Sequence, residues 1–311
     1  VRFSKNGSDT TTAAIRLARF LTKRDRIVVC GYHGWHDWFI GSTSMNKGIP
    51  NQVNELTHTI KYNSLIDLEK IFSKYPDQIA AVIMEPANYE KPKELYLKEV
   101  KRIIKKNKAL LIFDEIVTGF RFRFGCLYNT MKLDPDLVTL GKIVGGGFPI
   151  GVICGKNELM KYASTSIFSK TDRAYIGGGT FSANPLTMTS GNSMLTIIKN
   201  KSNLLYKKLS NFGIETRKML DKKFGGSVIT TGIGSLFLTH FLSDSIYEIN
   251  NATDAAKCNT KKLHDYHFHM IANAGIFFLP GKLGAFSDAH TKFDIKTMSK
   301  STDEFLTMFK K

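Results

Sequence analysis

Near-continuous apolar runs punctuate the first two-thirds of the chain: Arg26–Cys30, Ala80–Met84, Ala109–Phe113, Leu137–Leu140 and Gly151–Cys154. Each is four or five residues long and rich in Val, Ile and Leu, which predicts strands buried on both faces. Between them lie stretches with helical spacing, such as Thr10–Thr22, Leu65–Phe72 and Lys93–Lys106. Strands alternating with helices predict an α/β domain around a largely parallel sheet, with helices on both sides.

From about Lys201 the rhythm changes. The spacing predicts a long helix over Leu204–Lys222, then strands over Ser227–Thr230 and Ser235–His240. A helix over Thr253–Ala274, a strand over Gly275–Leu279 and a closing helix over Asp294–Phe309 complete the pattern. This divides the chain into a large α/β domain, residues 1–200, and a smaller α+β domain, residues 201–311. No repeat or low-complexity tract interrupts either part.

Composition refines this picture only slightly. With 311 residues, 42% of them hydrophobic, the chain can bury a sizeable core. No apolar run reaches the length of roughly 18 residues that a membrane span needs. The chain opens on Val1 in a strand-like stretch with no initiator Met and no signal segment, so upstream sequence is expected. Cys30, Cys126, Cys154 and Cys258 are widely scattered with no CxxC spacing, which reads as reduced thiols of a cytoplasmic protein. A net charge of +17 raises nucleic-acid binding as a possibility. The basic residues are dispersed, however, and the densest stretch, Lys98–Lys108, has the spacing of a helix with a solvated face. Attraction of anionic metabolites is the simpler consequence.

Three segments could carry chemistry. Asn6-Gly7-Ser8-Asp9 precedes a helix, where Ser8 or Asp9 could cap the first turn and free N–H groups could attract a phosphate. Phe113-Asp114-Glu115 ends an apolar strand on a carboxylate, at the sheet edge where open α/β folds bind ligands. Asp114 there could hold a metal, act as a base, pair with a cationic nitrogen, or simply cap a turn. Leu140-Gly141-Lys142 ends another strand beside Gly145-Gly146-Gly147, and a desolvated lysine in that position is a usable amine nucleophile. The spacing fits neither a P-loop, since Ile143 follows the lysine, nor a dinucleotide fingerprint. His264, His267 and His269 cluster in sequence, but helical spacing spreads them over different faces. His33 and His36 sit among aromatics in a loop, as suited to an aromatic wall as to acid–base work.

In order along the chain, these segments resemble the class III (fold-type I) pyridoxal-phosphate (PLP) aminotransferases, within them the glutamate-1-semialdehyde aminomutase branch. The resemblance is carried by Asn6–Asp9 with Ala14–Arg19, Tyr32-His33-Gly34 and Glu85-Pro86. It continues through Asp114-Glu115-Ile116-Val117-Thr118-Gly119-Phe120-Arg121, Gly141-Lys142 and Gly179–Pro185. It implies a mostly parallel seven-stranded sheet sandwiched by helices, with a smaller C-terminal domain. It also implies an enzyme of amino-group transfer or migration, taking a small amino donor and a carbonyl acceptor.

The resemblance assigns roles as well. Lys142 would form the Schiff base with PLP and shuttle a proton, and Asp114 would keep the pyridine nitrogen protonated. Gly7 and Ser8 would hold the phosphate, and Tyr32 and Ile116 would flank the ring. Thr180 would reach a phosphate across the interface of a homodimer. Val117 stands where most aminotransferases carry Gln, which matches the aminomutase branch. Leu279–Gly284 looks shortened where relatives have a substrate-proximal loop, and the family's N-terminal segment, which helps wall the pocket, does not precede Val1. The altered loop tilts the expectation toward a related aminotransferase over the aminomutase proper, and the missing segment raises a PLP-binding homologue of impaired catalysis as a further alternative.

Overall fold

A computed structural model describes residues 1–87, 92–243, 246–249 and 252–308. The chain divides into two compact units, one holding residues 1–87 and 92–200, the other the residues from 201 onward.

The first unit is built on seven strands: β1 (Arg2–Ser4), β2 (Arg26–Cys30), β3 (Thr57–Thr59), β4 (Ile79–Met84), β5 (Leu110–Asp114), β6 (Leu137–Gly141) and β7 (Gly151–Gly155). Their spatial order is β1-β7-β6-β5-β4-β2-β3. Neighbours from β3 to β6 pair in parallel, while β7 runs against both β6 and β1. The apolar runs are explained by what covers them. Ile27, Val29, Ala81, Ile83 and Ile112 pack on one face against Ala14, Leu17 and Ala18 of helix Gly7–Thr22. Their alternates Val28, Val82, Met84, Leu111 and Phe113 pack on the other against Leu68, Phe72, Val100 and Ile104. These last four come from helices Leu65–Lys74 and Tyr96–Lys106. Because strand side chains alternate, only a run apolar at every position can satisfy both layers.

The second unit has a three-stranded antiparallel sheet, ordered β10-β9-β8, of β8 (Val228–Thr231), β9 (Leu236–Phe241) and β10 (Gly284–Ala285). Phe224, Phe241, Tyr266 and Phe305 form its aromatic core, with the Tyr266 hydroxyl 2.8 Å from Thr302 Oγ1.

Four sequence expectations need correction. The helix expected over Leu204–Lys222 spans Pro185–Phe224, starting where Asn184 Oδ1 accepts the Thr187 N–H at 3.0 Å and Pro185 takes the first turn. The single helix over Thr253–Ala274 is two, Ala252–Ala256 and Thr260–Ala274, because Asn259 caps a new start through the Lys262 N–H at 2.9 Å. The strand over Gly275–Leu279 is absent. Gly275, at φ 63°, and Ile276 both turn their N–H groups back to Met270 O and close the helix instead. The last helix is Lys292–Met308, and Phe309 lies outside the described residues. No described helix is long and apolar enough to cross a membrane.

Candidate active site

The parallel strands end together. Cys30 pairs with Met84 and Met84 with Phe113, so Gly31, Glu85 and Asp114 follow at one carboxyl edge. Asp114 in turn pairs with Thr139, and β6 delivers Lys142 to the same edge two residues beyond Leu140.

Asp114 is 3% exposed and fully engaged. His33 Nδ1 lies 2.8 Å from its Oδ2, while Oδ1 accepts the Thr139 hydroxyl at 3.0 Å and the Ile116 N–H at 3.1 Å. The His33 ring is buried, and its Nε2 has no partner among the described residues. Sequence spacing could not reveal this pair: 81 residues separate His33 from Asp114.

Glu85 has a similar history. Its carboxyl leans over Gly31, where any Cβ would strike it, and accepts the Tyr32 N–H. Burial, and then the neighbouring Asp114, push its pKa up to about 8.

The phosphate-type cradle forms differently from expectation. The helix is capped by Asn6, whose Oδ1 accepts the Asp9 N–H at 3.0 Å, and not by Ser8 or Asp9. Gly7 and Ser8 thereby become the first two helical residues, whose N–H groups have no intrahelical acceptor. The Ser8 hydroxyl accepts the Trp35 N–H at 3.2 Å and lies against Gly34, which at φ 105° leaves no room for a side chain. Gly7 approaches Ile116 so closely that a Cβ would sit 2.8 Å from its Cδ1.

Lys142 opens a 3₁₀ turn, Lys142–Gly145, in the left-handed region at φ 48°. Its side chain keeps an open side, yet the mass of protein around it lowers its pKa by desolvation. Asp114 opposes that shift, and Arg121 adds to it. Ile116 packs on Gly141 as well as Gly7 and so bridges the lysine strand and the helix start. Tyr32 is 61% exposed, with its ring edge-on to Phe39. Thr180 is exposed in the Gly177–Gly179 region and its hydroxyl makes no hydrogen bond among the described residues. Gly7, Ser8, Ile116, Asp114 and Lys142 therefore gather at one edge, while Tyr32 and Thr180 present exposed side chains.

The other histidines take structural positions. His36 Nδ1 lies 2.8 Å from Thr12 Oγ1. His267 stacks on Phe278 and accepts the Gly281 N–H, and His269 Nε2 lies 3.0 Å from Ser301 O.

The sequence profile of the class-III aminotransferases matches residues 1–224. The chain belongs to the class-III aminotransferase family. It is 36% identical to a glutamate-1-semialdehyde 2,1-aminomutase of Ignicoccus hospitalis, over 93% of this chain and 70% of that protein. It is also 36% identical to the protein of the same name from Thermoplasma volcanium, over 95% of this chain and 72% of that one. Among solved structures, an omega-transaminase from Sphaerobacter thermophilus superposes with a TM-score of 0.82 at 26% identity, over 98% of this chain and 73% of that one. A glutamate-1-semialdehyde aminomutase from Pseudomonas aeruginosa in complex with PMP gives 0.83 at 20% identity, over 98% and 71%, a likeness of fold. The class-III chain is thus a fold-type I, PLP-dependent enzyme of amino-group transfer or migration. Its edge residues fit that cofactor: an anion cradle at Gly7 and Ser8, a buried carboxylate at Asp114, and a desolvated amine at Lys142.

Proposed function

We propose that Lys142 is the amine that carries PLP and that the enzyme moves an amino group from a small donor to a carbonyl acceptor. The observation behind this is the convergence of Lys142, Asp114 and the Gly7-Ser8 helix start at one carboxyl edge. Bound there, PLP supplies an electron sink that acidifies the α-proton of an amine and a carbonyl carbon that takes up its nitrogen. The protein's own part is binding and proton handling. Asp114, anchored by His33, Thr139 and the Ile116 N–H, would hold a proton on the pyridine nitrogen. Gly7 and Ser8 would receive the phosphate, and Tyr32 and Ile116 would flank the ring. Lys142, with its lowered pKa, would once freed accept the α-proton of the bound amine and deliver it to the cofactor carbon on the other side of the nitrogen. Thr180, exposed, would complete the phosphate site from a second copy in a homodimer.

Lys142→Ala, loaded with PLP, is expected to lose the visible absorbance of the lysine-bound cofactor. Full retention of that band would remove the assignment.

Within this chemistry, the names of the relatives at 36% identity favour migration within one molecule, as in glutamate-1-semialdehyde 2,1-aminomutase. Isomerisation of that semialdehyde with no added amino donor is the expected result. A strict requirement for a second substrate would identify a transferase instead.

A further inference from the structure

The turn after β5 carries a cation that the roles above do not use. Residues 114–121 fold over the ends of β5 and β6: Ile116 rests on Gly7 and Gly141, and a Cβ at Gly119 would meet Leu140 Cδ2 at 2.5 Å. Arg121 closes this turn. Its backbone N–H donates to Thr118 O at 3.2 Å and its Nε to Val117 O at 2.8 Å, which pins the base of the guanidinium. The two terminal NH₂ groups have no acceptor among the described residues, and no carboxylate there forms an ion pair with it. The side chain is half-buried and near enough to Lys142 for its charge to be felt by the amine.

Three other arginines of the chain are engaged by acceptors. Arg24 pairs with Asp77 and donates to three carbonyls, Arg102 pairs with Glu99, and Arg217 donates to Gly234 O and Leu236 O. A partly desolvated guanidinium with its fork unfilled is costly in a folded chain. Its planar pair of donors has the shape of a carboxylate or phosphate receptor.

We infer that Arg121 receives a carboxylate of the substrate and so sets a preference for anionic donors or acceptors beside Lys142. This deepens the amino-transfer reading and rests on it for the word substrate. The phosphate of the cofactor is the competing anion. The Gly7-Ser8 helix start, with two unpaired amides and a hydroxyl, already provides for that group, which leaves Arg121 for the second one.

The test is calorimetric titration of the PLP-loaded protein with succinate, an anion that carries no amino group. Binding is expected to weaken about ten- to a hundredfold in Arg121→Met, the range of a charged hydrogen-bond pair. Arg121→Lys is expected to recover part of it, and Arg123→Met, two positions along the same loop, to leave it unchanged. PLP retention on dialysis should be equal in all four proteins. Unchanged succinate binding in Arg121→Met overturns the inference. So does loss of PLP from that variant, which would assign the guanidinium to the cofactor phosphate. Because succinate binding needs no turnover, the result stands apart from the fate of Lys142→Ala.

Discussion

Asp114 shows how much of this site is made of supporting hydrogen bonds. Its carboxylate is buried, and what holds it in place is the trio of His33, Thr139 and the Ile116 N–H. His33→Ala removes the donor to Oδ2 and opens a small cavity. Apo-protein stability is expected to fall by about 1–3 kcal/mol, read from the urea midpoint. Glu85 gives a pH signature. Burial raises its folded pKa to about 8 from an ordinary value of 4.5, so the folded state binds the proton more tightly than the unfolded one. Its contribution is fully present below the unfolded value and is lost as pH rises toward 8. Glu85→Gln, which cannot ionise, is expected to gain melting temperature relative to the parent across that interval. Parallel melting curves at every pH would refute this.

At the scale of elements, the join between the first helix and β7 is close. A Cβ on Gly151 would run into Thr10 Oγ1 and Asn6 O, the residues that begin the helix holding Gly7 and Ser8. Gly151→Ala is expected to cost about 1–3 kcal/mol and to weaken PLP retention with it, whereas Asn6→Ala should cost about 1 kcal/mol through its cap. Elements of this kind differ in how they declare themselves in sequence. The central strands β2, β4, β5 and β6 must be apolar on both faces and are legible as such. β3, Thr57–Thr59, and β10, Gly284–Ala285, are edge strands of two or three residues, too short to show a period. Gly275–Leu279 has the composition of a strand, but its first two N–H groups are consumed by the preceding helix. In the site, Asp114 and Lys142 stand out because each ends an apolar run. His33 and Glu85 gain their roles only when β2 and β4 are laid beside β5, a relation that no local spacing encodes.

For the whole molecule, a formal charge of +17 surrounds a site proposed to take anionic substrates. Association of an anionic donor should therefore slow as salt screens that field, whose reach is about 10 Å at 0.1 M ionic strength. The expected outcome is a kcat/KM that declines with added salt for carboxylate-bearing amines and stays level for uncharged ones, measured by stopped-flow. A last consequence follows from the backbone of Lys142, held at φ 48° where a side chain is disfavoured. Glycine accepts that angle freely, so Lys142→Gly should yield an inactive protein that is more heat-resistant than its parent, by about 1 kcal/mol from the backbone alone. Selection for the amine and selection for durability pull this position in opposite directions.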